Sequence, residues 1–146
     1  MEFPEIILSK IPASLREFLE NRRYTCIGAR YDEASFGNIV LDCTDQELII
    51  RVVKDRRQVF VDVASVHLPD EWHMLPDLLA FLNRPGIQIE YIEQDHLAAE
   101  LGAHYEKIRE LLAPENTRRA DLKIFEEKRR EATFAAMLTP TKPPLD

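Results

Sequence analysis

The clearest pattern of apolar and polar positions lies in the middle of the chain, between residues 46 and 65. Two runs rich in valine and isoleucine, at residues 48–53 and 59–63, flank a polar tetrad at residues 55–58. A strand, a tight turn and a second strand have this spacing, so the stretch predicts a long antiparallel β-hairpin. The tetrad lacks the glycine or asparagine that two-residue loops prefer, which leaves a wider loop open.

The alternation within the two runs predicts the register of the hairpin. If Arg56 and Arg57 form the turn, Arg51 stands opposite Asp62 on the less apolar face. The other face then collects the apolar residues Leu48, Ile50, Val52, Val59, Val61 and Val63. A shift by one residue would bring Asp62 onto that apolar face, where a lone carboxylate is costly. We therefore predict that Arg51 and Asp62 form either a cross-strand ion pair or part of a polar patch used by a partner.

Shorter patterns on the N-terminal side predict one helix and two further strands. Pro12 suits a first helical turn, Ser14 and Glu17 have capping-box spacing, and a helix follows over about residues 12–22. Strand patterns follow at residues 24–31 and 36–43, with turn residues between them. Because the connections are short, each strand can pair with its neighbour, and together with the hairpin they predict a four-stranded antiparallel meander.

The second half of the chain has mainly helical periodicity. Over residues 71–83, Pro76 predicts either a kinked helix or a short turn from Asp70 followed by a helix from Leu75. Residues 87–91 alternate like a short strand or an extended connector, and helices follow at residues 93–112 and 115–137. We predict an α+β fold with an N-terminal helix, a four-stranded antiparallel β-meander and a mainly helical C-terminal half. Residues 1–138 would form one domain, and residues 139–146 a flexible tail.

The two C-terminal helices differ in their apolar stripes. The first helix carries a continuous stripe formed by Leu97, Leu101, Tyr105, Ile108 and Leu112. The second helix is charged along most of its length and gains little from burial within one chain. We predict that Leu122, Phe125 and Met137 on this helix form a contact surface, for self-association in preference to a foreign partner. The alternative is that these three side chains complete the domain core.

Composition and charge narrow the classes of partner. The 146 residues, 45% of them hydrophobic, suffice for one core. Lysine and arginine number 19 against 26 aspartate and glutamate, and the net charge of −7 argues against binding to nucleic acid or anionic membranes. It favours a basic protein partner. No membrane-spanning run or signal peptide is recognisable, so we expect a cytoplasmic protein in which Cys26 and Cys43 are small buried side chains.

No constellation of residues has a recognisable catalytic or metal-binding pattern. Four acidic and histidine residues on one predicted helix fall at intervals of three and four: Glu93, His96, Glu100 and His104. They lack the HExxH spacing of a metalloprotease helix. His67 and His73 bracket Trp72 without a nucleophile motif nearby, and the four glycines form no phosphate-binding loop. We assign no catalytic, cofactor-binding or metal-binding residues and expect no cofactor.

One segment, FGNIVLDCTDQELIIRVVKDRRQVFVDVAS, resembles a hairpin of small, mostly uncharacterised bacterial proteins that pair an FGN strand with an R-x-V/F-x-K/R-D-R-x-Q-x-F-V-D-V hairpin. The matching residues are Phe36, Gly37, Asn38, Arg51, Val53, Lys54, Asp55, Arg56, Gln58, Phe60, Val61, Asp62 and Val63. The match covers about a fifth of the chain, and Arg57 stands where the pattern often has glycine. Some proteins of this kind are similar to immunity proteins of bacterial toxin systems, so the resemblance implies an immunity-like role.

Two functional hypotheses follow from the sequence. The favoured one is a non-catalytic cytoplasmic interaction protein whose acidic surface binds a basic protein partner. The alternative is a small enzyme, or a ligand- or metal-binding domain, with a histidine-containing pocket between sheet and helices. Metal analysis of the purified protein and co-purification from its native host distinguish the two.

Overall fold

The computed structural model describes residues 5–32, 34, 37–83 and 91–138 of the chain. Its elements are α1 (Glu5–Leu8), α2 (Ala13–Asn21), β1 (Thr25–Asp32), β2 (Asn38–Thr44), β3 (Leu48–Asp55), β4 (Gln58–Ser65), β5 (Leu68–Met74), α3 (Leu75–Leu82), α4 (Leu97–Leu111) and α5 (Arg118–Leu138). A short 3-10 turn at Gln94–His96 leads into α4. These elements confirm an α+β fold with an antiparallel sheet. The predicted tail at residues 139–146 and most of the predicted strand or connector at residues 87–91 lie outside the described residues.

The chain divides into two compact units. The first, Met1–Asn116, holds the sheet and α1 to α4, and the second, Thr117–Asp146, holds α5. The boundary follows Pro114, the residue that separates the last two helices in the sequence. The domain predicted over residues 1–138 spans this boundary.

Among the described residues, the sheet has five antiparallel strands in the order β1-β2-β3-β4-β5. The β3–β4 hairpin has the predicted register, with Arg51 opposite Asp62. Its loop is the two-residue turn of Arg56 and Arg57, although neither residue is glycine. Arg56 takes a left-handed conformation with φ 60°, and its backbone N–H donates to Asn38 Oδ1 at 3.0 Å. This hydrogen bond to β2 helps a non-glycine residue to hold the tight turn.

The prediction of four strands was wrong, because a fifth strand, β5, occupies Leu68–Met74. The sequence there predicted a turn or the start of a helix, since Trp72 has helical spacing to the leucines that follow it. In the structure β5 pairs with β4, and Val63 stands opposite His73. Trp72 and Met74 therefore point to one face of the sheet and His73 to the other. Pairing with a neighbouring strand overrides the local helical spacing.

The structure also decides where two helices begin. α3 begins at Leu75, the later of the two predicted starts, and Pro76 lies in its first turn, where a missing N–H is tolerated. At α2 the N-cap residue is Pro12, and no side-chain cap hydrogen bond forms. The predicted capping box of Ser14 and Glu17 was therefore wrong, because Ser14 lies inside the helix and not at its N-cap.

The core lies against one face of the sheet, which we call the core face. Six of its side chains have no solvent exposure: Ile39, Leu41, Cys43, Ile50, Val52 and Val63. The predicted stripe on and just after α4 is buried at all five positions: Leu97, Leu101, Tyr105, Ile108 and Leu112. Arg22 joins α2 to α4, because its guanidinium carbon lies 4.9 Å from the Phe18 ring centroid and 4.3 Å from that of Tyr105.

The C-terminal end of α2 is a Schellman motif with arginine at the position that favours glycine. Arg23 has φ 58°, and its N–H donates to Glu20 O at 3.1 Å. The next N–H, from Tyr24, donates to Leu19 O at 3.0 Å. The side chains of Tyr24 and Leu19 are both buried, as is common in this motif. A residue with a Cβ in the left-handed region costs about 1–2 kcal/mol, which glycine avoids.

We expect Arg23→Gly to stabilise the protein by about 1 kcal/mol, because it relieves this strain at an exposed position. Urea unfolding at neutral pH measures the change. The control is Arg22→Gly, one residue earlier, where φ is −90° and the side chain stacks on two rings. That variant should be destabilised by about 1 kcal/mol or more. Destabilisation by Arg23→Gly would contradict the motif.

Candidate functional site

The sheet face opposite the core face carries mostly half-buried and exposed residues, with Ile49 and Ala64 buried at one end, and we call it the mixed face. Along β3 and β4 it includes Arg51, Val53, Phe60 and Asp62, which alternate with core residues. This alternation follows from the two-residue period of a strand. Trp72 joins the same face from β5. The mixed face therefore brings charges and aromatic rings together near the middle of the sheet.

Arg51 is the central cation of the mixed face. It stands opposite Asp42 on β2 and opposite Asp62 on β4. Its guanidinium donates to both oxygens of Asp42, from Nε to Oδ1 at 2.8 Å and from Nη2 to Oδ2 at 3.0 Å. The guanidinium carbon lies 4.1 Å from the Trp72 ring centroid. The hydrogen bonds to Asp42 raise the pKa of Arg51, and the fork and the ring together hold the side chain in one orientation.

The structure adds two residues to the predicted pair of Arg51 and Asp62. The pair is present in the strand register, and the hydrogen bonds of Arg51 go to Asp42. The sequence contains a signal for Asp42, which alternates with buried residues of β2 and lies one strand away from Arg51. It contains no comparable signal for Trp72, because β5 was not predicted as a strand.

Asp62 is a half-buried carboxylate that accepts no hydrogen bond from the described residues. Burial raises the pKa of Asp62, the Arg51 charge lowers it, and the charges of Asp77 and Asp42 raise it further. The net shift is upward because the guanidinium of Arg51 is turned towards Asp42, so its attraction does not offset the loss of water. The fold therefore solvates this negative charge poorly.

Asp62 borders a cavity of about 280 Å³ beside β4, which we call the Asp62 cavity. Its described lining consists of Val53, Val59, Phe60, Val61, Asp62, Met74, Pro76, Tyr91, Ile92 and Leu97. Asp62 is the one carboxylate among these described residues, and the others are apolar or aromatic. Phe60 and Tyr91 meet edge to face with ring centroids 5.8 Å apart, and each is 37% exposed. The cavity therefore combines an apolar wall, which includes Val53, Met74 and Pro76, with an accessible aromatic rim formed by Phe60 and Tyr91. Asp62 adds one negative charge to the described lining.

The cavity lies where β5 stops. β5 pairs with β4 as far as Asp62, because Met74 is followed directly by α3. The first residues of β4 therefore extend beyond β5, and Pro76 of α3 and Leu97 of α4 line the space beside them. Sequence reasoning missed this site because its position depends on the length of a strand that the sequence did not predict.

The histidines considered as metal ligands do not form a cluster. His104 Nδ1 lies 3.1 Å from the carbonyl oxygen of Glu100 and 3.6 Å from its carboxylate, whereas His96 is exposed. In the part of the chain that the structure describes, no group of three or more histidine, cysteine, aspartate or glutamate side chains is placed to hold a metal ion. His73 is buried on the core face, whereas His67 is exposed between β4 and β5.

A second cavity, of about 220 Å³, lies at the opposite end of β4 and is lined in part by Ser65 and His67. Arg109 also lines this cavity, and its guanidinium donates to Glu47 at 3.2 Å and to Glu106 at 2.6 Å. Its guanidinium charge is thus already balanced by two carboxylates on the protein surface. The geometry assigns no chemistry to His67.

α5 carries the three residues predicted as a contact surface: Leu122 is buried with no solvent exposure, Phe125 is half-buried and Met137 is exposed. Met137 is 78% exposed, and its neighbours Phe134 and Leu138 are 62% and 67% exposed. Residues three and four positions apart share one side of a helix, so these last three form an exposed apolar patch. Phe125 lies nearer the N-terminal end of the helix, with its ring centroid 5.7 Å from the Arg129 guanidinium carbon.

We expect this patch on α5 to support self-association, because burying exposed apolar side chains against a second copy is favourable. The double variant Phe134→Glu with Met137→Glu should lower the particle mass measured by light scattering. Its control replaces two exposed polar residues of the same helix, Lys128→Ala with Glu131→Ala, and should leave the mass unchanged. A patch variant with the wild-type particle mass would contradict the prediction.

Comparison of the chain with protein-family models, with curated proteins and with solved structures found no match. Among the described helices, none is both long enough and apolar enough to cross a membrane. The function that we propose therefore depends on the chemistry of the site itself.

Proposed function

We propose that this protein is a non-catalytic, cytoplasmic interaction protein that binds a basic protein partner. The proposal is supported above all by the accessible aromatic rim beside a poorly solvated carboxylate on the mixed face. Aromatic side chains supply large contact areas in protein interfaces. A carboxylate that accepts no hydrogen bond from the described residues gains from a cation that a partner supplies.

The overall charge acts in the same direction. The net charge of −7 attracts a basic protein over a distance of about one Debye length and speeds the encounter. It also disfavours acidic partners, because like charges brought together at an interface cost several kcal/mol, as a rough figure. The net charge therefore favours one class of partner, and the Asp62 cavity gives that partner a specific point of contact.

We further propose that the role is immunity-like, with a basic toxin as the partner. The residues that carry the hairpin resemblance include Val53, Phe60, Val61 and Asp62, and these four line the Asp62 cavity. The similarity to immunity proteins therefore falls on the same surface as the candidate site. This part of the proposal depends on the resemblance and not on the cavity geometry.

The test is to isolate the tagged protein from its native host and identify what co-purifies. We expect a basic protein that is retained at low salt and released at high salt, because screening weakens attraction between exposed charges. The purified components should then form a complex in calorimetry, with affinity that falls as salt rises. A neutral or acidic partner, or stoichiometric metal in the purified protein, would contradict the proposal.

A further inference from the structure

We infer that the Asp62 cavity is the docking site for one lysine or arginine side chain that the partner presents on an apolar segment. The inference rests on the proposed function and deepens it, because it names the part of the partner that is recognised. It depends on three features of the site: the apolar wall, the carboxylate and the aromatic rim.

The wall suits the aliphatic stem of a long basic side chain. Val53, Met74 and Pro76 offer apolar surface beside Asp62. Lysine and arginine bury their methylene groups along such surface while the charged end reaches a polar partner. A neutral apolar side chain would fill the wall but would remove water from Asp62 without replacing its hydrogen bonds. The wall and the carboxylate together therefore favour a cation over a neutral group.

The carboxylate of Asp62 is available as far as the described residues show, because Arg51, the cation opposite it, binds Asp42. Arg51 directs its guanidinium to Asp42 through two hydrogen bonds of 2.8 and 3.0 Å. The charges of Asp42 and Asp77 act on Asp62 in the opposite sense to that of Arg51. An incoming cation would therefore offset the effect of these two carboxylates and would give Asp62 a hydrogen-bond donor.

The exposed rim of the cavity suits a side chain that an approaching segment presents. Phe60 and Tyr91 are each 37% exposed, and Met74 is 51% exposed, so all three are accessible to an approaching segment. Aromatic faces attract cations, and flanking apolar residues of the partner can cover the rim. The cavity volume of about 280 Å³ leaves room for one long side chain.

The experiment uses the full chain and two synthetic peptides. One is acetyl-Leu-Val-Arg-Val-Leu-amide, and the other has citrulline in place of arginine, which changes the guanidinium to a neutral group of nearly the same shape. Titrations followed by proton–nitrogen NMR report both the affinity and the residues perturbed. We expect the arginine peptide to bind about tenfold more tightly than the citrulline peptide, and to shift the resonances of Phe60, Asp62 and Tyr91.

Two matched variants test the carboxylate. Asp62→Asn should abolish the preference for arginine over citrulline. Asp55→Asn removes the same charge from an exposed position at the end of β3 and should leave the preference at about tenfold. Asp62→Asn should also melt at a higher temperature than the wild type at neutral pH, because it removes a poorly solvated charge. A rise in melting temperature shows that any loss of binding is not loss of the fold.

The outcomes separate this inference from the proposed function. Equal binding of the two peptides, or a preference that survives Asp62→Asn, would overturn the docking site. A basic partner from the host that binds wild type and Asp62→Asn equally would overturn it as well, while the proposed function would stand. A preference that depends on Asp62, found in a protein for which the host supplies no basic partner, would support the site and overturn the proposed function.

Discussion

Arg51→Ala should lower the free energy of unfolding by about 3 kcal/mol, measured by urea unfolding at neutral pH. The substitution removes two hydrogen bonds to Asp42 and a stacking contact with Trp72. Hydrogen bonds to charged groups contribute about 1.5–3 kcal/mol and a cation over an aromatic ring about 0.5–2 kcal/mol. The variant also leaves the carboxylates of Asp42 and Asp62 on one sheet face without the cation between them.

Two further substitutions show whether geometry or charge causes the loss. Arg51→Lys keeps the charge but not the planar fork, so it should recover less than half of the lost stability. Arg16→Ala breaks an exposed pair with Glu20, whose side chains are 37% and 45% exposed, and should cost at most about 0.5 kcal/mol. If Arg51→Ala costs no more than Arg16→Ala, the contacts of Arg51 with Asp42 and Trp72 do not stabilise the sheet.

Double-mutant cycles then rank the two carboxylates that stand opposite Arg51. We expect a coupling of about 1–2 kcal/mol between Arg51 and Asp42, because their hydrogen bonds are bidentate. The coupling between Arg51 and Asp62 should be smaller but favourable, since these two interact through their charges. A larger coupling with Asp62 would contradict the orientation of the guanidinium.

Raising the pH from about 8 to about 11 should destabilise the protein by about 2–3 kcal/mol, through the buried thiol of Cys43. Cys43 lies on the core face, directly opposite Cys26, and both cysteines are free. Burial raises the pKa of Cys43 to about 12, with smaller contributions in the same direction from Cys26 and Asp42. In the unfolded chain the thiol loses its proton near the ordinary value of 9.0. The stabilising contribution is therefore complete below about pH 9 and is lost as the pH rises towards 12.

Denaturant unfolding at several alkaline pH values, in the presence of a reducing agent, measures this loss. Cys43→Ala should be less stable at neutral pH, because it removes a buried side chain, but its stability should fall less steeply above pH 9. The slopes should differ by up to about 1.4 kcal/mol per pH unit. Burial also raises the pKa of Tyr24, so some alkaline loss remains in the variant. Identical slopes in the two proteins would contradict the assignment to Cys43.

The β3–β4 hairpin shows what the sequence by itself determined. Its register follows from a local pattern, because alternate residues of a strand face opposite ways, a one-residue slip would bring Asp62 onto the apolar face, and the polar tetrad fixes where the turn lies. The α4 stripe is local in the same sense, since the spacing of its residues along the chain predicts which of them share a buried side. The net charge also follows directly from the sequence, and the class of partner that we propose depends on it.

Tertiary structure alone decided β5, the hydrogen-bond partner of Arg51 and the Asp62 cavity. Residues 68–74 become a strand because their backbone groups form hydrogen bonds with β4. The apolar spacing within these residues does not report this pairing. Arg51 stands opposite two carboxylates, and in the structure its hydrogen bonds go to Asp42 while its guanidinium lies over the Trp72 ring. The cavity exists because β5 ends at Met74 and α3 turns away there. Each of these depends on contacts between residues distant in sequence, whereas periodicity reports only neighbours along one element.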